Sequence, residues 1–129
     1  MKITFLVNNL SENGMYRTLS LAKLLKRFYE IEIVGPRFGK SIYNPFIGEN
    51  FTFKEFSGCR FPEFSSVIEE IIKSISGDII YAHHPIFTSF GIGLMSKFKK
   101  KRPVVIDIDD WPMGHWLESY EYNLSLFVS

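Results

Sequence analysis

The sequence predicts an α/β domain, one open parallel sheet with helices on both faces, and three observations lead there. Short, largely apolar runs recur at Ile3–Val7, Ile31–Val34, Ile79–Ala82 and Val104–Ile108, the pattern of strands buried on both sides. Between them lie segments with apolar residues at helical spacing. The two kinds of segment alternate with only short turns between, the order of a parallel sheet with crossover helices.

Ile3–Val7 reads as the first strand and Asn8–Gly14 as a polar, turn-rich loop. Met15–Phe28 carries Leu21, Leu25 and Phe28 on one helical face, with Lys23, Lys26 and Arg27 elsewhere. Ile31–Val34, closed by Gly35-Pro36, completes a strand–helix–strand unit. Pro36–Asn50 is an irregular connection. Phe51–Phe56 alternates Phe with polar residues, which suits a strand nearer the sheet edge with one wet face. Pro62 opens the next helix, whose apolar positions Phe64, Val67, Ile68, Ile71, Ile72 and Ile75 form one stripe, and Gly77 is expected to end it. Strand Asp78–Ala82, a helix from Pro85 to Lys100 and strand Val104–Ile108 follow. Gly91 and Gly93 each weaken that helix by roughly 1 kcal/mol relative to Ala, so close approach to the sheet or to a ligand is expected there. A thinner pattern gives a short helix through Trp116–Tyr122 and a last strand at Asn123–Val128.

Composition narrows the function. With 129 residues, 46% of them hydrophobic, the chain reads as one domain spanning 1–129. A net charge of +1 gives no global field for nucleic acid, and no nucleic-acid partner is expected. The single cysteine, Cys59, allows no internal disulfide or cysteine-based zinc cage and fits a reducing compartment. The opening apolar stretch is too short for a signal peptide, and His83, His84, Pro85 and Lys97 interrupt the one longer apolar region. A cytoplasmic protein is the expectation.

In parallel sheets ligands gather beyond the carboxyl ends of the strands. The candidate chemistry falls there: His83-His84 after one run, and Asp107, Asp109 and Asp110 at the end of another. A histidine at a strand end can act as general base or as a donor to developing negative charge; capping is the competing role, above all for His84. Adjacent histidines in a strand point to opposite faces, a poor arrangement for one metal. Asp107 and Asp109 should share a face and could hold a divalent cation with substrate phosphates, while Asp109 or Asp110 could instead cap a helix. Backbone N–H groups of the Asn8–Gly14 loop could receive a phosphate or carboxylate, although the loop is neither G-x-G-x-x-G nor a Walker loop. Arg17 opposes the helix dipole, which hints at an anionic ligand. Lys97, Lys99, Lys100, Lys101 and Arg102 complement a helix C-terminus, and they could also meet anionic lipid headgroups, placing the chain at the inner face of a membrane.

With those residues in view, the chain resembles the amino-terminal, acceptor-side half of a retaining GT-B glycosyltransferase of the GT4-like family. That family opens with a strand, a G-G-x-x-R loop and a helix rich in Leu-Ala-x-x-Leu. Here the loop reads Asn13-Gly14-Met15-Tyr16-Arg17 and the helix carries Leu21-Ala22-Lys23-Leu24-Leu25. Asp78-Ile79-Ile80-Tyr81-Ala82-His83-His84-Pro85 is similar to the family's D-V-V-H-A-H-[DNE]-P, with Tyr81 where a His is usual. Pro103–Trp111 resembles a strand with the D-x-D-D-W ending of some relatives.

The resemblance implies a Rossmann-like acceptor-binding domain whose donor-binding partner, with its basic pair and E-x7-E element, is absent from the chain. It implies transfer of a sugar from a nucleotide-sugar to the hydroxyl of a glycan or lipid acceptor, without metal or other cofactor. His83 would be the catalytic residue, and Asn13, Gly14, Arg17, Asp109 and Asp110 would bind acceptor or phosphate. The expectation is a truncated product or one piece of a split enzyme, completed by another polypeptide and inactive alone. Two other readings compete: a metal-dependent GT-A-like transferase using Asp107 and Asp109, and a non-catalytic module that docks on a membrane or protein partner.

Overall fold

Side chains alternate across a strand, so the first apolar run feeds two layers at once. Ile3, Phe5 and Val7 pack with Leu10, Met15, Leu19 and Ala22, whereas Leu6 packs with Val34, Phe64, Ile68 and Ile71. The computed structural model describes residues 1–11, 15–46 and 48–108. In it β1 (Lys2–Leu6) leads through α1 (Tyr16–Leu25) to β2 (Glu30–Arg37) and β3 (Thr52–Ser57). Then come α2 (Phe64–Ser74), β4 (Ile79–His83), α3 (Ile92–Lys100) and β5 (Val104–Asp107). The five strands form one sheet in the order β3-β2-β1-β4-β5, every pair parallel. This is the expected α/β open sheet. α1 covers one face; α2 and α3 cover the other. From β1 the chain builds outward in one direction, then crosses back to build in the other. The expected helix at Trp116–Tyr122 and strand at Asn123–Val128 lie outside the described residues.

Three elements depart locally from expectation. β2 does not close at Val34 but runs on to Arg37, because β3 pairs along that extension, Pro36 with Phe56 and Arg37 with Ser57. Pro36 lacks a donor, yet its carbonyl accepts from Leu10 N at 2.8 Å. α2 ends at Ser74, before Gly77, and Ile75 is already extended. Gly77 is needed for proximity instead: a Cβ there would lie 2.4 Å from Thr4 Oγ1 and 2.6 Å from Thr4 N. The helix expected from Pro85 divides into a π-helical turn, Phe87–Gly91, and α3. Gly93 then lies flat on the sheet, where a Cβ would meet Val104, Leu6 and Ile80 at 3.4–3.6 Å. The sheet contact expected of that glycine is present.

One feature of the interior was not foreseen. Glu32, in the middle of Ile31-Glu32-Ile33, is fully buried. Its carboxylate lies 2.8 Å from Lys54 Nζ and 3.3 Å from Lys2 Nζ. It also accepts from Thr4 Oγ1 at 2.5 Å and from Ser76 N and Oγ at 2.8 Å each. This polar knot sits toward the amino ends of the strands. Burial pushes the Glu32 pKa up, but hydrogen bonds from Lys54, Thr4 and Ser76 outweigh that and lower it to about 2.

A carboxyl whose pKa is lower in the folded chain than in the unfolded one stabilises the fold above its unfolded value. That contribution disappears as pH falls through the folded value. Stability is therefore expected to fall by about 3 kcal/mol as pH drops from about 4.5 to about 2, from this group alone. Glu32→Gln should cost about 2–3 kcal/mol at neutral pH and flatten that acid limb; urea unfolding across pH reads both effects. Gly77→Ala should destabilise by about 2 kcal/mol, because its neighbour is strand backbone rather than a yielding side-chain tip. Thermal and urea midpoints measure it.

Candidate functional site

The change of direction in strand order falls between β1 and β4, and crevices of open α/β sheets form at the carboxyl end of such a point. His83 is the last residue of β4 and only 1% exposed. Its Nδ1 lies 2.9 Å from the hydroxyl of Thr18, in the first turn of α1. Beside it in register is Asp107, the last residue of β5. Arg17, next to Thr18, reaches Asp107 with a two-pronged contact: Nε to Oδ2 at 2.7 Å and Nη2 to Oδ1 at 2.9 Å. α1 is thereby tied to both β4 and β5.

Burial pushes the Asp107 pKa up, yet hydrogen bonds from Arg17 and Tyr81 and the charges of Arg17 and His83 hold it below the usual carboxylate range. The Asp107 side chain is 5% exposed, the Arg17 side chain 53%. The clasp thus presents a positive outer edge over a buried anion. Arg17 was expected to need an external anion because it stands against the helix dipole; Asp107 supplies one from within the chain. The same contact bears on the expected Asp107–Asp109 metal pair. Both Asp107 oxygens are engaged by Arg17, which leaves a poor cation ligand.

His84 does not continue the strand. Its φ of 67° is left-handed, and its N–H donates to the Asp107 carbonyl at 3.0 Å. The expectation that the two imidazoles face opposite ways therefore fails: their ring centroids are 3.9 Å apart. The buried Ser89 hydroxyl lies 2.5 Å from the His83 carbonyl and 2.9 Å from that of His84, fixing the turn from beneath. An open groove of about 580 Å³ runs along α1, lined by Tyr16, Arg17, Ser20, Leu21 and Leu24. It begins at Arg17, and all five lining residues stand on α1, with Tyr16 and Leu24 largely exposed.

Of the residues singled out from sequence, His83 and Arg17 are brought to this rim, joined through Thr18 and Asp107. Asn13, Gly14, Asp109 and Asp110 lie outside the described residues. Among the described residues no three His, Cys, Asp or Glu side chains converge as a metal site would require, and no helix is long and apolar enough to cross a membrane. The Lys97–Arg102 run lies at the other end of the sheet. Arg102 is engaged internally, donating to the carbonyls of Ile75 and Gly77 at 3.1 and 2.8 Å.

No family model, curated protein or solved structure matches the chain. What the rim can do follows from its geometry. A buried imidazole braced by a hydroxyl can hold or move a proton at a fixed place. The exposed edge of Arg17 can attract a hydroxyl-rich or anionic group. The apolar groove beside it can seat a larger ligand body.

Thr18 and the Arg17–Asp107 pairing escaped the sequence reading. Thr18 occupies an ordinary helical position, and the two clasp residues are 90 positions apart. The only advance signal was electrostatic, a cation in the first turn and a carboxylate ending an apolar run; β5 itself is an edge strand, with Val105 exposed. Asp107→Asn and Arg17→Gln should each destabilise, with the double variant costing less than the sum. Urea unfolding of the double-mutant cycle is expected to give a coupling of about 1–2 kcal/mol.

Proposed function

We propose that this chain is the acceptor-binding half of a retaining glycosyltransferase of GT-B type, inactive by itself. One observation carries the reading: His83, the residue that the family resemblance assigns to the reacting centre, is buried at the carboxyl rim next to the strand-order reversal, beside Arg17. A crevice there can hold an acceptor, with its body along the α1 groove and one hydroxyl toward His83. His83, oriented by Thr18, would hydrogen-bond at the reacting hydroxyl. The outer edge of Arg17 would steady a phosphate or sugar oxygen. Gly14, Asn13, Asp109 and Asp110 would complete the acceptor contacts. The donor nucleotide-sugar would be held by a second domain or partner chain.

The metal-dependent GT-A-like alternative has less support, since its first carboxylate is already committed to Arg17. The tests follow the chemistry. Amide resonances of Arg17, Thr18, His83 and His84 should move when oligosaccharide or lipid-linked sugar acceptors are titrated into the labelled chain. They should stay fixed with nucleotide-sugar alone. His83→Ala should weaken that binding about tenfold, the loss of one good hydrogen bond in a dry site. Sugar transfer by the isolated chain, or nucleotide-sugar binding that requires manganese, would overturn the proposal.

A further inference from the structure

α3 runs antiparallel to the strands it packs on, so its last turn emerges at the amino end of the sheet, away from His83. The short strand β5, rising about 3.3 Å per residue, separates that turn from Asp107 by roughly 13 Å. Lys97, Lys99, Lys100 and Lys101 surround the helix tip and are all exposed. Among the described residues none of the four is paired with a carboxylate. Lys101 also closes the helix in a left-handed conformation, φ 47° and ψ 48°, where glycine is the usual choice.

The helix dipole accounts for cations at this end. It does not account for Phe98, which stands 84% exposed among them, the most exposed large apolar side chain of the described residues. Met95, one turn back, is 41% exposed. A bare aromatic ring inside a ring of unpaired lysines matches the interface of an anionic bilayer. There the ring can enter the headgroup layer while each cation gains from the negative surface.

We propose that the tip of α3 docks on an anionic lipid bilayer, end-on, with Phe98 inserted and Lys97, Lys99, Lys100 and Lys101 against the lipid phosphates. This contact is independent of the acceptor site. It turns the His83 rim away from the bilayer, toward water, and so favours a soluble glycan over a bilayer-held lipid as the acceptor. Arg102 is not part of it, because its guanidinium holds the carbonyls after α2.

Co-sedimentation of the full chain with vesicles tests the proposal. Phosphatidylcholine vesicles containing about 30% phosphatidylserine should bind it at about 0.1 M salt and release it at about 0.5 M. Pure phosphatidylcholine should not bind. The Lys97→Gln, Lys99→Gln, Lys100→Gln, Lys101→Gln variant should lose at least about a hundredfold in partition. Phe98→Ser should lose about tenfold while keeping the salt dependence. All these side chains are exposed, so circular dichroism should match the parent and the thermal midpoint should fall by only a few degrees, from the lost helix-dipole contacts. Absence of binding to the anionic vesicles, equal binding to neutral vesicles, or full retention by the quadruple variant would each overturn it. So would preferential capture by a single-stranded oligonucleotide competing with the vesicles.

Discussion

The reversal of strand order between β1 and β4 is the constraint from which the rest follows. Crossover connections are right-handed, so building outward from β1 in two directions puts α1 on one face and α2 with α3 on the other. The carboxyl ends at the reversal are left without a covering helix. α1 begins over that gap, and its first turn can reach across β4. Arg17 does so, and its contact with Asp107 binds an early helix to the last described strand.

The two ends of the sheet are organised differently. At the amino end, Glu32 is surrounded by donors that satisfy it: two ammonium groups, two hydroxyls and a backbone amide. Such an arrangement holds shape and offers little to a ligand. At the carboxyl end the charges are asymmetric, with the anion buried and its partner half exposed. The Arg17 side chain is the more open, 53% exposed against 24% for Lys2 and 30% for Lys54, which is why chemistry is assigned to that rim.

Much of this was legible in the sequence because the information was local. Runs such as Ile79–Ala82 and the α2 stripe from Phe64 to Ile72 declare strand and helix through periodicity. His83 declares itself by ending such a run. Long-range pairings leave no local trace. Nothing near Arg17 names Asp107, and Glu32 between two isoleucines looks like a strand residue that happens to be acidic. His84 misled for a different reason: its sequence neighbours suggest continuing strand, but the pull of the Asp107 carbonyl and the Ser89 hydroxyl bends the chain into a left-handed residue. Gly77 looked like a helix stop and is a spacer against Thr4. In each case tertiary contact outweighed local preference.

The Glu32 knot also acts as an index for the sheet. Thr4 of β1, Lys54 of β3 and Ser76 before β4 all reach the same carboxylate, so three connections are gauged against one residue of β2. Sliding β2 by a single position would carry the carboxylate to the opposite face, into the cluster of Phe5 and Leu19, and send an isoleucine among the lysines. Misaligned sheets are thereby penalised twice over, once by a stranded charge and once by lost apolar contact. An interior acid that adds little to affinity for any ligand can in this way enforce a unique alignment.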